Sequence, residues 1–221
     1  MIAEELINQM IPQLKLYDSV EKALRWMDEF RVNDLPVVSN RKYLGMATAY
    51  NLVDLVDRNQ TLKDVELEHK DVHVMHFQHF YDVMEAAIKN KTQVVPVLDE
   101  MQEYMGIITI NDTLAAFGQM SALQGQGSIL VLSMPERDYS LSQISRLIEE
   151  ENTKILSAYV SPDELDPYSI KLTLKLNATD LSRIISTLER FEYRITAQFH
   201  DSNSFDVGKD RLDMLFKYLD I

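Results

Sequence analysis

The sequence predicts an α/β (α+β) protein, with a β-α-β-β-α unit present twice and a ferredoxin-like β-α-β-β-α-β unit after it. Three observations predict it. The segment Asp34-Leu35-Pro36-Val37-Val38 returns 60 residues later as Val94-Val95-Pro96-Val97-Leu98. Gly45-Met46-Ala47-Thr48 returns 61 residues later as Gly106-Ile107-Ile108-Thr109, the extra residue falling in a polar, turn-like stretch where an insertion costs little. Beyond residues 121–128, which are small and polar with two glycines, the order of apolar patterns changes.

In the first copy, residues 13–16 read as a short extended piece. A helix follows, with Val20, Ala23, Leu24, Met27 and Phe30 at helical spacing. Asp18 and Glu21 have the spacing of a capping box at its start. An apolar strand through Pro36, a hairpin, a second strand (43–48) and a helix (51–56) complete the unit. The second copy runs in parallel: an extended piece at 72–75, then a helix with Phe80, Val83, Met84, Ala87 and Ile88. The strand through Pro96, a strand at 104–109 and a helix at 112–117 close it. A proline early in a strand suits an edge or strand-start position, where no ladder hydrogen bond is lost.

The C-terminal part reads as strand (129–134), helix (140–151), two strands joined by the turn at 161–167 (154–160 and 169–176), helix (180–191) and strand (194–200). Ser140 with Gln143 fits a capping box. Ile144, Leu147 and Ile148 form one apolar stripe, and Leu181, Ile184, Ile185 and Leu188 the other. Residues 206–221 are expected to form an amphipathic helix with Leu212, Leu215, Phe216 and Leu219 on one side. The expected division is therefore 1–60, 61–120, a linker at 121–128, a domain at 129–200 and a terminal helical segment at 201–221.

Composition narrows the function. The chain has 221 residues, 46% hydrophobic and 26% charged, enough to bury a core. Its apolar runs fall well short of the ~18 residues needed to cross a bilayer, so no membrane span is expected. The acidic start, Met1-Ile2-Ala3-Glu4-Glu5, does not resemble a signal peptide, so the protein reads as cytoplasmic. There is no cysteine, which removes thiol nucleophiles, disulfides and cysteine-based metal sites. Lys+Arg 22 against Asp+Glu 35 gives a net charge of −13, which repels nucleic acid and anionic lipid.

The duplicated unit resembles a tandem CBS-domain pair (a Bateman module). The strands Leu35-Pro36-Val37 and Val95-Pro96-Val97 carry the resemblance, together with two Gly-h-h-Thr-x-x-(Asp/Asn) segments, h being hydrophobic, that run from Gly45 to Asn51 and from Gly106 to Asp112. The later half resembles an ACT-like domain by strand and helix order. The whole order resembles the acetoin-utilisation-type family of small bacterial CBS–ACT proteins. That resemblance implies a regulatory, non-catalytic homodimer that binds an adenosine nucleotide in a cleft between the copies and acts on a protein partner. It implies ligand contacts at Thr109, Asp112, Val95, Pro96, Gly106 and Ile107, and in the first copy at Thr48, Asn51, Leu35 and Pro36. The Thr and Asp would take the ribose hydroxyls, a carboxylate accepting two hydrogen bonds from a cis-diol. The first copy carries Asn51 where the family has Asp, and an amide accepts through one oxygen only. One site is therefore expected, at Thr109 and Asp112.

Basic residues that hold phosphates in the family are replaced here by Asn33-Asp34 and Gln93-Val94, and Arg31 is the nearest cation. The expected ligand is weakly charged, AMP or adenosine. The loop 135–140 lacks the glycine of amino-acid-binding ACT domains, which points to a structural or dimerising role there. Asp112 can equally be a plain helix cap, the reading that holds for Thr48 and Asn51. His69, His73, His76 and His79 invite a metal, but the repeat makes residues 72–76 extended, so His73 and His76 point to opposite faces. Trp26 reads as a packing or interface aromatic, and the eleven methionines as adaptable core. Ser140, His200 and Asp138 lack the turn a triad nucleophile needs, and no phosphate loop or HExxH occurs. The alternative to a sensor is a ligand-free scaffold with degenerate CBS sites.

Overall fold

In the computed structural model, which describes residues 1–119 and 126–199, the chain divides into two units, Met1–Gly118 and Gln119–Ile221. The first unit holds β1 (Leu14–Lys15), α1 (Val20–Phe30), β2 (Asp34–Ser39), β3 (Lys42–Thr48) and α2 (Ala49–Val53). It continues with β4 (Val74–Met75), α3 (Phe80–Asn90), β5 (Val94–Leu98), β6 (Tyr104–Thr109) and α4 (Ile110–Gly118). These make two three-stranded sheets, β1-β2-β3 and β4-β5-β6, each with a parallel and an antiparallel pairing.

The prolines lie on the middle strands, not at an edge. Pro36 pairs with Met46 and Pro96 with Ile107, while the short strands β1 and β4 meet only Val37–Val38 and Val97–Leu98. The missing proline N–H thus costs nothing, because the parallel neighbour stops before it. The cap of α1 also differs from the sequence expectation. Ser19 accepts from the Lys22 N–H, while Asp18 accepts from the Lys15 N–H and pairs with Lys22 Nζ at 2.7 Å. Helices α1 and α3 both end on a left-handed basic residue, Arg31 and Lys91, at repeat-equivalent positions. Helices α2 and α4 start two residues earlier than their patterns suggest, directly after Thr48 and Thr109.

The linear boundary between the copies is not the packing boundary. Residues ahead of the first copy pack on the second: Ala3, Leu6 and Ile7 join the core of Val74, Val83, Ala87, Val95, Val97 and Ile108. Residues ahead of the second copy pack on the first, where Leu62 and Leu67 join Leu14, Val20, Leu35, Val37 and Leu52. The leading segments are thus exchanged. Ile7–Asn8 and Leu67–Glu68 lie at matching repeat positions, and Asn8 bridges to Ile107 as Glu68 bridges to Met46. Val94 and Ile107 of the second copy belong to the first copy's core cluster, so apolar side chains fill the middle of the contact between copies. Within the α3 stripe Phe80, Val83 and Ala87 are buried, but Ile88 is 71% exposed, and Met84 lines a surface groove with Tyr81.

The second unit contains β7 (Ser128–Pro135), α5 (Leu141–Glu150), β8 (Ile155–Pro162), β9 (Ser169–Leu176), α6 (Ser182–Arg190) and β10 (Arg194–Phe199). Its antiparallel sheet has the order β10-β7-β9-β8, a β-α-β-β-α-β topology. Leu130, Leu132, Leu172, Leu174 and Leu176 on one sheet face meet Ile144, Leu147, Ile148, Ile184 and Leu188 of the helices. Ser140 caps α5 by accepting from the Gln143 N–H. Ser128, placed in the linker by composition, opens β7; the rest of that linker up to residue 125, His200 and the helix expected at 206–221 lie outside the described residues.

Candidate functional site

Thr109 ends β6 and Asp112 sits in the first turn of α4, close enough to bind each other's backbone. The Thr109 N–H donates to Asp112 Oδ2 (2.9 Å), the Thr109 hydroxyl donates to the same oxygen (2.7 Å), and the Asp112 N–H donates to Thr109 Oγ1 (3.1 Å). This is a reciprocal capping box, with Asp in the place Glu usually takes. The cap does not use up the carboxylate. Asp112 is only partly buried, and both residues line a cavity of about 410 Å³ with Asn8, Phe30, Arg31 and Gln93. Its walls come from both repeats, because α1 ends at the mouth and the segment before β1 crosses over β6.

Two glycines allow that crossing. A Cβ on Gly106 would strike the Ile7 side chain, and one on Gly45 would lie 2.8 Å from the Glu68 carbonyl oxygen, at a φ of +138°. Asn8 then lies in reach of the box: its backbone N–H donates to Ile107 O (2.8 Å), and its amide Nδ2 donates to Oδ1 and Oδ2 of Asp112, each at 3.1 Å. Arg31 stands at the C-terminus of α1 and also lines a neighbouring cavity with Leu24, Met27, Asp28 and Ala49. Among the described residues its guanidinium makes no ion pair.

A buried polar link joins the copies beside this cavity. Asp34, 8% exposed, accepts from the Thr92 hydroxyl (2.8 Å) and the Gln93 N–H (3.3 Å), while the Asn33 N–H donates to Gln93 Oε1. Asn33, Asp34 and Gln93 thus tie one repeat to the other.

No family model matches the chain. Over 151 residues it is 24% identical to an inosine-5'-monophosphate dehydrogenase of Methanocaldococcus jannaschii, a stretch that covers 67% of this chain and 30% of that enzyme's length. Solved structures similar to it include a CBS domain pair/ACT domain protein from Thermotoga maritima, at 21% identity and a TM-score of 0.48, covering 53% of this chain and 96% of that one. CBSX2, known from Arabidopsis thaliana, is similar in its complex with AMP, at 20% identity and a TM-score of 0.47, covering 54% of this chain and 98% of that one.

The residues expected to bind ligand separate into two groups. Thr109 and Asp112 line the cavity. Leu35, Pro36, Val95, Pro96 and Ile107 are buried in the cores and are not among its lining residues, because their strands are covered from both sides. Gly106 admits Ile7 and does not line the cavity. In the first copy, Thr48 is 4% exposed and its hydroxyl caps α2 by accepting from the Asn51 N–H at 3.4 Å. Asn8 escaped the sequence reading, although its match to Glu68 by the 60-residue offset marks it as part of the repeat.

The histidines serve separate places. His79 caps α3, His76 Nδ1 lies 3.2 Å from Glu4 Oε2, and His69 takes a left-handed turn. Among the described residues no three His, Asp or Glu side chains gather as a metal site. Trp26 packs at the edge of the first core, with Lys22 Nζ 4.2 Å from its ring centroid.

Proposed function

We propose that the chain is a regulatory sensor, a tandem CBS pair followed by an ACT-like domain, that binds AMP or adenosine beside Thr109 and Asp112. The observation that carries this reading is the capping box: Asp112, partly buried, and the Thr109 hydroxyl bonded to it line a cavity whose size lies within the usual range of about 300–1,000 Å³ for small-molecule sites. The Asp112 carboxylate takes ribose hydroxyls, and Arg31 is the one cation among the cavity-lining residues. A single guanidinium suits a monophosphate; on a chain of net charge −13 a triphosphate is poorly matched. No catalytic step is assigned.

Output follows from differential affinity. A ligand that prefers one arrangement of the repeats shifts the population toward it, and a second chain or a partner protein reads the change. The exposed apolar residues Tyr81 and Ile88 on α3 support a homodimer through that face.

Calorimetry tests the site. AMP is expected to bind the wild type and to lose at least tenfold in affinity in Asp112→Ala. Equal affinity for both proteins removes the box from the reading. A scaffold with degenerate sites is the second reading, favoured by the core-packed strands and by Thr48 acting only as a cap. The two diverge in thermal unfolding: a ligand at 100 times its Kd adds about 2.7 kcal/mol to a binder, and nothing to a scaffold.

A further inference from the structure

We infer that Asn8 is a latch on the candidate site: it occupies the carboxylate that a ribose diol would take, so ligand and the leading segment Ala3–Asn8 compete for Asp112. The inference rests on the nucleoside reading of the cavity and adds the device that couples it to the rest of the fold.

Acceptor capacity sets this competition. A carboxylate offers about four lone-pair sites, two on each oxygen. Asp112 Oδ2 already receives three donors: the Thr109 N–H, the Thr109 hydroxyl and Asn8 Nδ2. Among the described residues Oδ1 receives Asn8 Nδ2 alone. A cis-diol brings two O–H donors and binds the carboxylate through both only when the Asn8 amide leaves. The amide's orientation is fixed, since its Oδ1 accepts from the Met10 N–H at 2.9 Å and only its NH₂ can face an acceptor.

Asn8 is not isolated. Its backbone N–H holds Ile107 O, Ile7 rests on Gly106, and further back the Ala3 and Glu4 N–H groups donate to Gln78 O and His76 O. Release of the side chain therefore loosens a segment that is zipped along the second repeat. The first repeat has no such device: among the described residues Glu68 and Asn51, the equivalents of Asn8 and Asp112, share no side-chain hydrogen bond. The latch thus makes the two halves of the duplication respond differently.

The test uses the full chain with AMP as probe. Asn8→Ala is expected to bind AMP about tenfold more tightly than the wild type, the value of one hydrogen bond to a charged group. Saturating AMP is expected to speed amide hydrogen exchange at residues 3–8 of the wild type while the amides of β5 and β6 keep their protection. If AMP binds the wild type but Asn8→Ala binds it equally or less well, or if AMP slows exchange at residues 3–8, the latch is overturned and the sensor reading stands. If AMP binds neither protein, the sensor reading falls and takes the latch with it. A folding defect in Asn8→Ala leaves the wild-type exchange experiment to decide.

Discussion

Gly106 and Gly45 hold repeat-equivalent positions yet resist a methyl group for different reasons. At Gly106 the obstacle is one side chain, Ile7; at Gly45 it is the Glu68 carbonyl together with a positive φ. Either Gly→Ala change is expected to destabilise by about 1–3 kcal/mol, as overpacking does. The pair is told apart by a second substitution. Ile7→Ala should recover part of the loss in Gly106→Ala, whereas no side-chain trimming recovers Gly45→Ala, because backbone and φ remain. Urea unfolding midpoints of the single and double variants check both. At the same scale, Thr92→Val leaves the buried Asp34 carboxylate with one donor among the described residues, at 3.3 Å, and should cost about 1–3 kcal/mol.

At the scale of elements, the helices show how local chemistry and distant packing share the work. Ser19 caps α1, and Ser19→Ala should lower stability by about 1 kcal/mol, readable in the same unfolding experiment. Its neighbour Asp18, which matches the capping spacing equally well, is engaged by Lys15 and Lys22 instead. Sequence pattern alone could not choose between adjacent candidates, since the choice depends on where the chain enters the helix. The stripe of α3 makes the same point. Helical spacing marks Met84 and Ile88 as apolar, but the neighbouring segments cover only the sector of Phe80, Val83 and Ala87. Strand register was more legible, because the Pro and Gly landmarks of both copies pair in the same way: Pro36 with Met46, Pro96 with Ile107, Val37 with Gly45, Val97 with Gly106.

For the whole molecule, buried titratable groups set the pH range of stability. Burial raises the Tyr43 and Tyr104 phenols well above their usual value, the nearby Asp34 adding to the effect at Tyr43. An unfolded chain ionises these phenols near pH ~10 while the folded first unit keeps them protonated. Stability is therefore full below that pH and lost as pH rises above it. Tyr43→Phe with Tyr104→Phe should flatten this alkaline limb in unfolding free energies measured on either side of it. Asp163 has the opposite sign. Hydrogen bonds from the Leu165 N–H and the Ser133 hydroxyl, then Lys171, hold its carboxyl below the usual range. Its contribution is present above the ordinary carboxylate pKa and fades as pH falls through the lowered one, so Asp163→Asn should weaken the acid limb of unfolding curves for the second unit.

The amino-acid sequence by itself determined the duplication, the order of helices and strands among the described residues of both units and the pairing of Thr109 with Asp112. These depend on periodicity and on residues three apart, which any chain with this pattern brings together locally. Tertiary structure alone decided that the leading segments change places, that Val95, Pro96 and Ile107 lie in the cores, and that Asn8 reaches a carboxylate 104 residues away. An apolar or polar pattern marks a face for contact; the partner that covers it is chosen by how the two repeats pack.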